Sequence, residues 1–267
     1  MTTLRNAATT RSRVARAGIA ASSSARPEGP NVSRETHRPA CARADGLPGQ
    51  KSGERVTEIE QEPAAAVELA GDRIEVLRAF AADLGERGEP LGLIGPLEPP
   101  RLWTRHVLNS ALLAPLIAEG ARVADIGTGG GMPGLVLAIV RPDAQFKLIE
   151  PMERRCAWLA EQVERLGLDN VEIKRGRAEE YHDAFEVDQV TARAVTALRK
   201  LVPITAPLLR DGGEMLFLKG TSVQDEIDAA AKVLRKHRLS EIAVEELGVG
   251  QLEESTRVFR AKIDRHG

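Results

Sequence analysis

Asp125 is followed by glycines at 127, 129, 130, 131 and 134, and an apolar run then begins. Glycines so spaced let a backbone approach a ligand closely and free its amides for binding. A dinucleotide loop places its third glycine five residues after the first. Here that position is Met132, and Gly131 comes one place early. The carboxylate of Asp125, two residues ahead of Gly127, suits a cationic ligand better than a pyrophosphate. S-adenosylmethionine (AdoMet), with its ammonium and sulfonium, is such a ligand. A plain tight turn is the competing reading.

Further residues lie where a nucleotide-like ligand would need them. Glu150 comes 23 residues after Gly127 and suits the two ribose hydroxyls. In Gly176-Arg177-Ala178-Glu179, backbone groups of Ala178 and Glu179 suit an adenine edge, and Arg177 faces substrate. Arg193 suits the methionine part of AdoMet or an RNA phosphate, with a structural ion pair as the alternative. Lys219-Gly220 closes another strand at the same edge. Arg105 and His106 open either a catalytic or a structural polar cluster. The basic run Lys232, Arg235, Lys236, His237 and Arg238 reads as a solvated helix end or an RNA contact.

The elements that must position these groups alternate. Apolar runs predict strands over 121–126, 145–150, 171–175, 187–193 and 213–219. Helical periodicity falls at 134–140, 152–166, 198–209 and 224–236. Strands over 240–247 and 256–263 are joined by a loop too short for a crossover helix, which requires an antiparallel hairpin. The reading is α/β, a class I methyltransferase fold. Its seven-stranded, mostly parallel sheet carries a C-terminal antiparallel hairpin, and a small helical subdomain precedes it. Residues 65–118 form that subdomain, with one helix resuming over 102–117, and residues 119–267 form the AdoMet-binding domain.

The 267-residue chain carries a net charge of −2, unevenly spread. Residues 1–50 hold eight arginines against three acids, so the remainder is about −7. An RNA site must therefore be a local patch on a mildly acidic body. Residues 1–64 are read as a disordered basic tail; an early start codon, a transit peptide and an RNA-binding arm all fit it. Cys41 and Cys156 fit neither a disulfide framework nor a metal site, so no metal and a cytoplasmic setting are expected. No apolar run reaches membrane-span length, so no membrane association is expected. At 3% aromatics, only Trp103, Tyr181 and Phe185 offer themselves for stacking a base.

In order and spacing, several stretches resemble the RsmG (GidB) family. They are Arg105-His106-x-x-x-Ser110, Asp125-Ile126-Gly127-Thr128-Gly129-x-Gly131-x-Pro133-Gly134, Gly176-Arg177-Ala178-Glu179-Glu180, Ala192-Arg193-Ala194 and Lys219-Gly220. The resemblance covers about residues 65–265. It implies an AdoMet-dependent methyltransferase acting on N7 of one guanine in 16S rRNA, with the small ribosomal subunit as partner and the enzyme a monomer. It places cofactor contacts at Gly127, Met132, Ala178, Glu179 and Arg193, with Glu150 at the ribose and Asp125, Gly129 and Gly131 completing the loop. Arg193, Arg177 and Lys219 are the expected catalytic and phosphate-neutralising residues. The alternatives are a methyltransferase of another RNA or a small molecule, a nicotinamide-dependent oxidoreductase, and a non-catalytic AdoMet-binding module.

Overall fold

The computed structural model describes residues 58–265, so the basic tail expected over 1–64 lies almost wholly outside the described residues. The predicted strands form. They are β1 (Arg122–Ile126), β2 (Gln145–Glu150), β3 (Val171–Arg175), β4 (Val187–Arg193), β5 (Leu209–Lys219), β6 (Leu239–Leu247) and β7 (Thr256–Ile263). They make one seven-stranded sheet in the order β3-β2-β1-β4-β5-β7-β6. The first five are parallel; β7 runs antiparallel between β5 and β6. β1 to β3 build one side of the sheet and β4 onward the other, so the strand order reverses beside β1. Crevices for ligands open at the carboxyl ends of strands at such a point.

Register fixes which side chains share that edge. Ile126 pairs with Ile149 on one side and Ala192 on the other, while Arg193 lies opposite Leu218. Gly127, Glu150, Arg193 and Lys219 therefore leave the sheet at one level. Because β7 is antiparallel, its first residues, Thr256 and Arg257, reach the same edge, Arg257 opposite Lys219.

Helices are α1 (Ala65–Ala70), α2 (Ile74–Arg87), α3 (Asn109–Ala111), α4 (Gly134–Val140), α5 (Glu153–Leu166), α6 (Leu198–Thr205) and α7 (Val223–Lys236). One buried cluster joins α2, α4 and α5 to one face of the sheet; a second joins α6 and α7 to the other. In α2 the three- and four-residue steps bury Leu77, Phe80, Ala81 and Leu84. Each large side chain so buried contributes roughly 1.5–3 kcal/mol. Polar ties reinforce the packing: Arg87 reaches Glu161 at 2.5 Å, and Gln162 donates to Asp83 at 2.5 Å.

Two boundaries depart from the sequence reading. The helix expected over 102–117 is a π-helical turn (Leu102–Leu108), the short α3 and a 3-10 turn (Ala114–Leu116). Pro115, which has no amide proton, sits in the last of these. The helix expected over 198–209 ends at Thr205. A 3-10 turn holding Pro207 follows, and β5 then starts at Leu209.

Candidate active site

The glycine loop is built by backbone hydrogen bonds and one buried acid. Gly127 N–H donates to Ile149 O at 2.9 Å, and Gly131 N–H to Thr128 O at 2.9 Å. Asp125 lies fully buried beneath the loop. Its Oδ2 accepts from Gly134 N–H at 2.9 Å and its Oδ1 from the Thr191 hydroxyl at 2.8 Å. Burial raises its pKa, against the pull of the hydroxyl and amide donors. The expectation that Asp125 meets a cationic ligand is corrected: the carboxylate has no exposed surface and ties β1, β4 and α4 together.

Glu150 is 1% exposed. One oxygen accepts from Gly129 N–H at 3.0 Å and the other from Met152 N–H at 3.0 Å. It thus holds the loop and the start of α5 at one point. Each carboxylate oxygen keeps a second lone pair. Trp158 Nε1–H donates to Gly130 O at 3.1 Å and buttresses the loop from below.

Gly129 stands at φ +61°, and a Cβ there would have only Gly127 O, at 3.8 Å, within reach. The space beside it is open, as a ligand cradle requires. Met132 is different: its side chain is core, 4% exposed, so only its backbone is available to a ligand. Ala178 is buried in the cluster holding Ile126 and Ile149, while Glu179 and Arg177 are exposed. Three strand spacings separate β3 from β4, roughly 14 Å. Arg177 accordingly lies away from Arg193.

A cleft of about 880 Å³ opens beside the loop. Its walls come from the π-helical turn (Thr104, Arg105, His106), the end of β4 (Arg193 to Thr196), the end of β5 (Leu218 to Thr221) and the start of β7 (Glu254 to Arg257). Val195 joins cleft and loop: it lines the cleft, and its Cγ2 lies 3.0 Å from where a Cβ on Gly127 would stand.

Arg193 reaches into this cleft. Its Nη1 donates to Arg105 O at 3.2 Å, and its Nη2 lies 3.0 Å from His106 Nδ1. Burial draws its pKa down to about 10, which leaves it charged at neutral pH. Among the described residues it makes no salt bridge, though the carboxylates of Asp125 and Glu98 act on its charge at longer range. His106 Nε2 lies 2.6 Å from Glu98 Oε2. Burial, then the Arg193 charge, hold the imidazole down to a pKa of about 4.

Lys219 lines the cleft but is held within the protein. Its ammonium donates to Glu226 Oε2 at 2.8 Å and to Thr196 O at 2.9 Å, and its side chain is 9% exposed. Glu226 also accepts from Leu198 N–H at 2.9 Å. The lysine thus braces the segment after β4 against α7, with its charge already met by Glu226.

A sequence model described as rRNA small subunit methyltransferase G (GidB) matches residues 73–254. The chain belongs to this family. Ribosomal RNA small subunit methyltransferase G of Clavibacter michiganensis subsp. michiganensis is 60% identical over 205 residues, 77% of this chain and 97% of the relative. The protein of that name from Leifsonia xyli subsp. xyli is 58% identical, covering 77% and 98%. Among solved structures, M. jannaschii TYW2 in complex with AdoMet superimposes with a TM-score of 0.50 at 18% identity, over 61% of this chain and 78% of that one. This last likeness concerns the fold alone.

For a member of this family, three further placements matter. Glu98 was not singled out in the sequence, because it sits among the prolines that break the helical pattern; only the fold sets it against His106. The aromatics are engaged: Trp103 is 6% exposed, and Tyr181 and Phe185 stack on each other with ring centres 5.8 Å apart. The basic run near 236–238 lines a separate cavity of about 340 Å³ with Ile263 and Arg265, at the opposite edge of the sheet. Among the described residues, no group of acids, histidines and cysteines could hold a metal, and no helix is long and apolar enough to cross a membrane.

Proposed function

We propose that the protein methylates N7 of a guanine in small-subunit rRNA, with AdoMet as methyl donor. Family membership supports the reaction class and the rRNA substrate. The observation that carries the N7 assignment is the state of the cleft histidine. His106 is neutral, its Nδ1 faces Arg193 and its Nε2 faces Glu98, so it has no free lone pair to act as a base. Guanine N7 bears a lone pair and no proton, and a nucleophile of that kind needs no base.

The residues present fit the cofactor. The open side of Gly129 accommodates its methionine part, and Glu150 uses its remaining lone pairs on the ribose. Ala178 and Glu179 border the adenine. The bound sulfonium supplies an activated methyl group. The chain's own contribution is placement: Val195 closes the junction between loop and cleft, and the cleft walls hold the base in line. Arg193, with no salt-bridge partner among the described residues, presents its cation to a carboxylate or phosphate. Exposed Arg177, Arg199 and Lys200 make no ion pair among the described residues and contribute phosphate contacts outside the cleft. A base must leave its stack to enter such a cleft, which favours an unpaired rRNA loop.

The test is labelled AdoMet with small ribosomal subunits lacking the modification, followed by nuclease digestion and mass spectrometry. N7-methylguanosine at a single site is expected. Label on an exocyclic amine or a ribose, or transfer only to small molecules, would refute the proposal.

A further inference from the structure

Arg193 is a cation whose hydrogen-bond partners are both uncharged: a carbonyl oxygen and an imidazole nitrogen. A guanidinium can only donate. The Nδ1 of His106 must therefore be the bare, accepting nitrogen, and the ring proton must sit on Nε2. That proton points at Glu98 Oε2, 2.6 Å away. A carboxylate can only accept, so both neighbours demand the same tautomer. Were the proton on Nδ1, an N–H would face the guanidinium and an unprotonated Nε2 would face a carboxylate.

We propose that Glu98 is a positioning residue of this enzyme: by accepting from His106 Nε2–H, it fixes the imidazole tautomer whose Nδ1 holds Arg193 toward the cleft. The three groups come from separate pieces of chain, the turn before the π-helical segment, that segment itself and the end of β4. Glu98 is itself oriented by Arg101 at 2.8 Å, with Arg105 Nε 3.4 Å away. Its carboxyl is held below the usual range: burial would raise it, but the hydrogen bonds from His106 and Arg101 outweigh that. Glu98 thus stays an acceptor at neutral pH. Glu98 makes its hydrogen-bonded link to Arg193 through the imidazole; its charge also acts on the guanidinium through space, and it lines the cleft, so the part of its effect that runs through the ring must be separated by experiment.

The functional part of this inference rests on the reading that Arg193 serves the methyl-transfer site; the tautomer does not. Nitrogen-15 NMR of the full chain labelled in histidine, with His106→Asn to assign the signal, tests it directly. At pH 7 the His106 ring is expected as the neutral Nε2–H form, with the Nδ1–H form gaining population in Glu98→Ala, where Arg193 alone still selects the tautomer. An Nδ1–H ring or an imidazolium in the unsubstituted protein would overturn the inference, whatever the enzyme methylates.

A kinetic cycle tests the coupling. Asparagine at 106 places an amide oxygen near the position of Nδ1, so it keeps the Arg193 contact while cutting the link to Glu98. Glu98→Ala is expected to lower kcat/KM about tenfold in the unsubstituted chain and less than about twofold in His106→Asn. Equal losses in both backgrounds would mean that Glu98 merely holds its own turn together through Arg101, and the positioning role would fall.

Discussion

The Gly134 amide donates to Asp125 Oδ2 at 2.9 Å, joining the first residue of α4 to β1 beneath the glycine loop that separates them. A Cβ on Gly134 would lie 2.6 Å from that same oxygen and 2.4 Å from Leu148 Cδ2. The acid and the glycine are therefore one device. Gly134→Ala is expected to destabilise by roughly 1–3 kcal/mol through overpacking. Asp125→Ala should cost a similar amount, about 1–3 kcal/mol, by leaving the Gly134 and Thr191 donors unsatisfied. Denaturant unfolding measures both, and the double substitution should cost less than the sum of the two, because both act on one contact. Full additivity would show that acid and glycine act independently.

Lys219 and Glu226 form a mostly buried pair, 9% and 23% exposed at their side chains. Removing one partner strands the other. Lys219→Met is expected to destabilise by roughly 3 kcal/mol, and adding Glu226→Gln should recover most of it. The amide still offers an oxygen to Leu198 N–H. If Lys219→Met left the melting temperature unchanged yet abolished rRNA binding, the bracing role would be wrong and a direct phosphate contact restored.

Acid should weaken the fold through His106. Its folded-state pKa, about 4, lies below the ordinary 6.5. Between these values the unfolded chain binds a proton that the folded chain does not, so stability rises with pH across that window. The contribution is complete above about pH 6.5 and is lost as pH falls toward 4, amounting to at most about 3 kcal/mol. In urea titrations from pH 4.5 to 7, the His106→Gln chain should show a shallower slope than the unsubstituted chain. Identical slopes would place the imidazole in water.

Arg193 and Arg177 should separate by phenotype. Arg193→Ala is expected to lose methylation about 100-fold with the fold intact, because it removes a fixed cation from the cleft. Arg177→Ala, exposed and distant, should instead weaken rRNA binding and reduce the salt dependence by about one unit of slope, with kcat little changed. Circular dichroism controls for folding, and filter binding at several salt concentrations gives the slope. The reverse pattern would exchange the two assignments.

The sequence by itself determined the sheet, its hairpin and the loop. β2, β3, β4, β7 and α4 begin and end where the apolar periodicity puts them. Strand alternation, glycine spacing and a short hairpin connection are local properties, and register then carries the ends of β1, β2 and β4 to one level. Family motifs such as Gly-x-Pro-Gly are likewise written in consecutive residues. What the tertiary structure decided is the partner of each charged side chain. Asp125 and Lys219 were legible as charges at a ligand-facing edge, but burial beside Gly134 and Glu226 turned them inward. Glu98 was not legible at all, because eight residues of proline-broken chain separate it from the imidazole it contacts. Long polar side chains choose their partners by three-dimensional proximity and desolvation, and neither is encoded in the spacing along the chain.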